Sequence, residues 1–154
     1  MIDAELDSLI KRAKSYIDSI DVQIEPQIAT LLHRYLCILF SSNIERAIQL
    51  ILTEYARTHG SSELTRFVSK KFERGTNYQT TKVVQTLSAF DPDWGHRFEA
   101  HASQTDLKEK LDALYGLRNS ISHGELVNVS RPSLVGYFEA HVKIIIFLRD
   151  LVLT

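Results

Sequence analysis

The sequence predicts an all-α protein, arranged as an up-and-down bundle of five to six helices. Apolar residues recur every third or fourth position over long segments, which indicates amphipathic helices. No stretch alternates apolar and polar residues as a strand would, and no glycine-rich phosphate loop or repeat is present. With 154 residues and 44% hydrophobic content, the chain fits one domain with a proper core, covering residues 1–154.

The first half of the chain contains four predicted helices. The second of them begins at Pro26, which suits the first turn of a helix, and continues to a glycine stop after residue 59. Because this second helix is long and mostly apolar, we expect it at the centre of the bundle. The four predicted helices span residues 3–20, 26–59, 63–73 and 80–90.

The second half continues the helical pattern. Asp91 and Pro92 indicate a turn followed by a new helical start. A strongly periodic segment runs from Thr105 to Gly124, with acidic residues in its first turn. Pro132 then opens a last helix with a broad apolar surface, one face of which is free to pack a partner.

The net charge of −1 gives the chain no overall attraction to nucleic acid. Any RNA binding must therefore depend on a local basic patch. The third predicted helix supplies one, because it carries Arg66, Lys70, Lys71 and Arg74 against only two acids. The alternative is that these residues form an ordinary solvated helix face.

Three features lead us to expect a soluble cytoplasmic protein without membrane contact. The lone Cys37 lies in an apolar run and has no partner for an intramolecular disulfide, which fits a reducing compartment. The acidic N-terminus lacks the layout of a signal peptide. No apolar stretch approaches the ~20 residues of a membrane span.

We expect no metal or other cofactor. His96 and His101 are the nearest pair of histidines that could be ligands, but they are five residues apart. Two imidazoles share one helix face at a spacing of four, and no cysteine is close to this pair. The pattern therefore does not support a metal site.

The best candidate for a chemical site lies near the end of the segment that stops at Gly124. Arg118 supplies a fixed cation, and His123 changes protonation near neutral pH. Asn119 and His123 are four residues apart and share a helix face, whereas Arg118 and His123 are offset by roughly 140°. Gly124 suits the left-handed position that ends a helix, which places His123 in the last turn.

The motif Arg118-Asn119-x-x-x-His123-Gly124 resembles the R-x4-H motif of HEPN domains, in the version found in RiboL-PSP-type HEPN proteins. The resemblance extends more faintly over residues 31–152. It implies a HEPN-like helical bundle and a metal-independent endoribonuclease, as in toxin, abortive-infection or CRISPR-associated systems. It also implies RNA as the substrate and a cognate antitoxin protein as a possible partner.

RNA cleavage without a metal needs a base to activate the ribose 2′-OH, an acid for the leaving oxygen and a cation for the transition state. His123 and Arg118 have the required chemistry, and Asn119 would hold an imidazole or bind phosphate. One chain offers a single histidine near Arg118, so we expect a symmetric homodimer with a composite site. HEPN ribonucleases commonly act as dimers, which agrees with this expectation.

Two alternatives remain open at this stage. Glu45 interrupts an apolar helix, and either faces Arg118 and orients its guanidinium or lies in solvent beside Arg46. For the whole chain, the alternative to a ribonuclease is a non-catalytic HEPN-like module that binds RNA, a nucleotide or a partner protein. In that case Arg118 and Glu45 would tie two helices together, and His123 would only cap a helix end.

Overall fold

The computed structural model describes residues 1–20, 24–73 and 75–154, and every regular element in this part of the chain is a helix. The all-α prediction is therefore confirmed. The predicted number of five to six helices is wrong, because the described residues form seven. They are α1 (Ile2–Ser19), α2 (Pro26–His59), α3 (Ser62–Lys71), α4 (Thr80–Phe90), α5 (Pro92–Gln104), α6 (Leu107–Ser122) and α7 (Arg131–Leu153).

The three shortest helices lie in the middle of the chain, where a helix count from periodicity is least secure. Helices α3, α4 and α5 have 10, 11 and 13 residues, lengths at which an isolated helix is only marginally stable. Asp91 is at once the C-cap of α4 and the N-cap of α5, and its side chain accepts a hydrogen bond from the Asp93 backbone N–H. A single residue therefore divides α4 from α5, at the turn that Asp91 and Pro92 predicted.

Helix α2 is the centre of the bundle, as predicted. It forms its most extensive contact with α7 and also packs against α1, α3 and α6. Its buried side chains are concentrated in the C-terminal two thirds, from Leu36 to Ala56. The first turns instead leave Ile28, Leu31 and Tyr35 exposed.

The expectation that no stretch is long and apolar enough to span a membrane is wrong for helix α2. By length and composition, an 18-residue window of this helix is apolar enough to cross a bilayer. Within the bundle, 56% of that window is buried. Core helices of soluble proteins meet the same criterion, so the apolar character of α2 is explained by its central packing.

A buried polar contact links α1, α2 and α7. The Asn43 side-chain amide donates to the Leu9 carbonyl at 3.2 Å and lies 3.5 Å from Nε2 of His141. His141 Nδ1 lies 2.5 Å from the Phe138 carbonyl, which can only accept, so Nδ1 carries the proton and Nε2 accepts from Asn43. Burial lowers the pKa of His141 to about 4 and keeps this ring neutral.

Candidate functional site

The C-terminus of α6 ends in a Schellman motif. Gly124 has a φ of 77°, and its backbone N–H donates to the Ile121 carbonyl at 3.0 Å. The next N–H, of Glu125, donates to the Ser120 carbonyl at 2.9 Å. This geometry confirms the predicted left-handed glycine and makes His123 the C-cap residue, with an exposed side chain.

The segment that follows His123 is fastened to α2. Nδ1 of His33 lies 2.7 Å from the Val129 carbonyl, and Nε of Arg34 donates to the Val127 carbonyl at 2.7 Å. Both contacts reach carbonyl groups that no helix would otherwise satisfy. They fix the path of the chain between α6 and α7, and with it the end of α6 that carries His123.

Arg118 is held from two directions. Its Nη1 lies 3.1 Å from Oε1 of Glu45 on α2, and the same nitrogen donates to Oδ1 of Asn77 at 2.9 Å. The guanidinium carbon lies 5.8 Å from the centre of the Tyr115 ring, within the range of a cation–π contact. The side chains of Arg118 and Glu45 are only 24% and 18% exposed, so solvent screens their attraction weakly.

Glu45 thus faces the motif helix rather than solvent. Burial raises the pKa of its carboxyl group, and the charge of Arg118 partly opposes this effect. Oε1 is buried and receives no directed hydrogen bond from any described residue, although Arg118 Nη1 is 3.1 Å away. The contact is therefore an ion pair by distance.

Two tyrosines form the wall around this pair. Burial, reinforced by the charge of Glu45, raises the pKa of Tyr78 to about 12. The same two causes raise the pKa of Tyr115, whose hydroxyl donates to the Ser41 carbonyl at 3.1 Å. Both phenols are therefore neutral at physiological pH, and Tyr115 anchors α6 to α2 beside the ion pair.

Asn119 and His123 differ from Arg118 in having free side chains. Within residues 1–20, 24–73 and 75–154, neither side chain makes a hydrogen bond to another residue, and Asn119 is partly buried. The site therefore combines a fixed cation with an exposed imidazole and an available amide. These groups can meet the phosphate and hydroxyl groups of a ligand without first breaking contacts of their own.

A family comparison agrees with this geometry. The family model described as RiboL-PSP-HEPN matches residues 4–153, nearly the whole chain. The chain belongs to the RiboL-PSP-HEPN family. Searches of curated proteins and of solved structures gave no match. The resemblance first drawn from the Arg118 motif is therefore confirmed at the level of the family.

The basic patch of this HEPN chain lies on α3. Arg66, Lys70 and Lys71 are exposed, while Arg74, the fourth predicted member, lies outside the described residues. Helix α3 starts at Ser61, whose side chain accepts from the Leu64 N–H, and it leads into the segment that carries Asn77. Binding of the patch to RNA stays a prediction, and its position next to that segment is compatible with it.

The two histidines of α5 in the HEPN bundle differ in their surroundings. His101 stacks on Phe147 with ring centroids 4.1 Å apart, while His96 is exposed on the same helix, α5. No group of three or more His, Cys, Asp or Glu side chains suited to a metal occurs in the part of the chain that the structure describes. The candidate site of this HEPN chain thus consists of Glu45, Asn77, Arg118, Asn119 and His123.

Asn77 is the site residue that sequence reasoning missed. It precedes Arg118 by 41 positions and lies in the irregular segment between α3 and α4. No periodicity applies to such a segment, and an asparagine there is equally typical of any turn. Only the path of the chain between α3 and α4 brings its amide to the guanidinium.

Proposed function

We propose that this HEPN chain is a metal-independent endoribonuclease that cleaves RNA through the ribose 2′-OH. The observation that carries the proposal is the fixed guanidinium of Arg118, paired with Glu45 and Asn77, on the same helix end as the exposed His123. A preorganised cation stabilises charge that develops in a transition state without having to move first.

The reaction follows from the residue types. His123 takes the proton of the 2′-OH, the 2′-oxygen attacks phosphorus, and the bond to the 5′-oxygen breaks. A protonated group gives its proton to that 5′-oxygen, and Arg118 stabilises the charge on the phosphoryl oxygens. Asn119 donates to phosphate. The products are a 2′,3′-cyclic phosphate and a 5′-hydroxyl, and the nucleophile comes from the substrate.

The direct test is incubation of the purified protein with total RNA in excess EDTA. We expect fragments whose 3′ ends carry a cyclic phosphate, identified by their resistance to direct 3′ ligation and by mass spectrometry. Intact RNA after prolonged incubation at pH 6 to 8 would refute the proposal. Fragments with 3′-hydroxyl ends would refute the mechanism even if cleavage occurred.

A non-catalytic module is the second candidate, and the ion pair itself supports it. Arg118 and Glu45 join α6 to α2 and are mostly shielded from water, so the pair has a plausible structural role without any chemistry. Under this alternative, Arg118→Ala lowers the free energy of unfolding and RNA stays intact in EDTA. His123→Ala would then change neither stability nor RNA.

We infer further that two chains form a symmetric dimer with their motifs facing each other. The reaction needs a base and an acid, and a second copy supplies the second His123. Exposed apolar residues, Ile146 on α7 and Leu31 and Tyr35 on α2, offer contact area. Light scattering should give roughly twice 17.6 kDa. Cleavage by a strictly monomeric protein would contradict the composite site.

The biological role that fits such an activity is a toxin of a defence or toxin–antitoxin system, acting on cellular RNA in the cytoplasm. Induced expression in a bacterial host should then arrest growth, whereas expression of His123→Ala should not. A partner protein encoded beside this chain that restores growth would be the antitoxin. Equal growth with both forms would contradict the toxic role.

A further inference from the structure

A cavity of about 170 Å³ lies beside Glu45, between α2 and the segment before α4. It is smaller than the pockets that hold drug-sized ligands and suits a single flat ring system. The residues that define its character are Glu45, Arg46, Gln49, Phe72, Thr76 and Tyr78.

The polar groups of this cavity form a donor next to an acceptor. Oε2 of Glu45 is the acceptor on the Gly75 side of the cavity, whereas Oε1 is buried 3.1 Å from Arg118 Nη1. The side-chain oxygen of Gln49 accepts from Arg46 Nη1 at 2.8 Å, which leaves the amide nitrogen of Gln49 as a donor. A base that offers an exocyclic amine beside a ring nitrogen satisfies both groups at once.

The apolar part of the cavity suits an aromatic ligand. Phe72 and Tyr78 line it, and Tyr78 is almost fully buried. Gly75 lies next to the Glu45 carboxylate, since a Cβ there would make an ordinary van der Waals contact of 3.7 Å with Oε2. Aromatic walls with a few polar groups are the usual way in which proteins hold an unstacked base of single-stranded RNA.

A second cavity, of about 140 Å³, shares the wall formed by Phe72, Thr76 and Tyr78. Its lining includes Lys71 and Lys82, so it places two cations on the far side of that wall. Lysine ammonium groups are suitable partners for the phosphates of an RNA backbone. The two cavities together therefore offer base recognition beside Arg118 and phosphate contacts beyond it.

We propose that the cavity beside Glu45 is a nucleobase subsite, which holds a base with an exocyclic amine next to the nucleotide at Arg118. Adenine, cytosine and guanine have such an amine, whereas uracil presents two carbonyl oxygens and a single N–H. A carboxylate only accepts hydrogen bonds, and the single N–H of uracil lies between two carbonyl oxygens that repel the carboxylate charge, so the site disfavours uracil. The inference deepens the proposed function, since it takes RNA as the ligand.

The test measures binding without cleavage, so that it does not depend on catalysis. Fluorescently labelled 2′-O-methyl heptamers lack the attacking hydroxyl, and one is all uridine while another has a single central adenosine. Fluorescence anisotropy with the wild-type protein should show about tenfold tighter binding of the adenosine oligomer, which is the effect of one good base contact. Gln49→Ala should remove this preference, and the exposed Gln104→Ala should keep it.

The outcomes separate this inference from the proposed nuclease. Equal affinity for the two oligomers, or a preference that survives in Gln49→Ala, overturns the subsite even if the protein cleaves unmodified RNA. A Gln49-dependent preference in a protein that leaves unmodified RNA intact supports the subsite and refutes the nuclease. Circular dichroism of Gln49→Ala verifies that a lost preference does not come from unfolding.

Discussion

At the scale of single residues, the orientation of the Arg118 guanidinium is set by two neighbouring side chains. Glu45 and Asn77 approach the same nitrogen, Nη1, at 3.1 and 2.9 Å. Oriented in this way, the guanidinium leaves its second terminal nitrogen, Nη2, to donate to a phosphate in the proposed reaction. His123, in contrast, is fixed only through the backbone at the end of α6. Chemistry at this site would therefore combine a rigid cation with a movable proton carrier.

The first prediction concerns Glu45. Glu45→Ala removes the ion pair and should lower the cleavage rate about tenfold or more, because a misplaced guanidinium loses at least ~1.4 kcal/mol of transition-state stabilisation. Glu45→Gln keeps an oxygen acceptor and should have a milder effect. Rates on a defined RNA in EDTA give the comparison.

The control for this prediction is Glu99→Ala, which removes an exposed glutamate of α5. It should cleave at the wild-type rate. If Glu45→Ala also kept that rate while folded, the orienting role of the carboxylate would be refuted.

The sequence predicted the candidate site residues that lie on helices, because helical spacing says which side chains share a face. Motif spacing identified Arg118 and His123, and the interruption of an apolar helix by a charged residue identified Glu45 as a possible partner. Asn77 and the cavity beside Gln49 were not predictable, because they depend on how the segment between α3 and α4 crosses α2. Such crossings follow from tertiary packing rather than from local pattern.

At the scale of helices, end signals explain most of the bundle. Prolines in the first turn open α2, α5 and α7, and Gly124 closes α6. These signals gave the helix positions from sequence. They did not reveal how closely α4 and α5 pack. A Cβ at Gly95 would lie 1.8 Å from Oγ of Ser88, so the two helices can meet only where α5 has no side chain.

The second prediction follows from that contact. Gly95→Ala should lower the free energy of unfolding by about 1–3 kcal/mol, the usual cost of forcing extra atoms into a packed contact. Gly116→Ala is the matched control, because a Cβ at this exposed position in α6 meets nothing within 4 Å. It should leave stability unchanged or raise it by up to about 1 kcal/mol through helix propensity.

Urea unfolding followed by circular dichroism measures both variants. Equal midpoints for Gly95→Ala and the wild type would show that α4 and α5 can separate without cost. The close approach of these helices would then not be required for the fold.

At the scale of the whole molecule, the buried contact between Asn43 and His141 makes stability depend on pH. Asn43 on α2 and His141 on α7 meet where the Leu9 carbonyl of α1 is also satisfied, so three helices share one polar contact. A buried polar group stabilises only while its hydrogen bonds are made, and protonation of Nε2 would remove its acceptor. The bundle should thus favour neutral His141.

The third prediction is a loss of stability in mild acid. The pKa of His141 is about 4 in the folded protein, below the value of about 6.5 for an unfolded chain. Between these values the unfolded state binds more protons, so the stabilisation is complete above pH 6.5 and is lost as pH falls towards 4. The loss reaches roughly 3 kcal/mol.

His141→Phe provides the control, since it keeps a ring against Phe40 but cannot titrate. It should be less stable than the wild type at pH 7, because one N–H of Asn43 loses its acceptor. Its stability should also fall less between pH 7 and pH 4.5, as measured by urea unfolding. An equal fall in both proteins would assign the acid sensitivity to other groups.

The central claim, that Arg118 and His123 carry out RNA cleavage, is tested most directly by single-turnover rates on a defined RNA in EDTA. Arg118→Ala and His123→Ala should each lose at least ~10²-fold in rate, the usual contribution of a positioned acid–base or charge-stabilising group. His96→Ala, at an exposed histidine of α5, should match the wild type. A folded His123→Ala that cleaves within a few-fold of the wild-type rate would contradict the account.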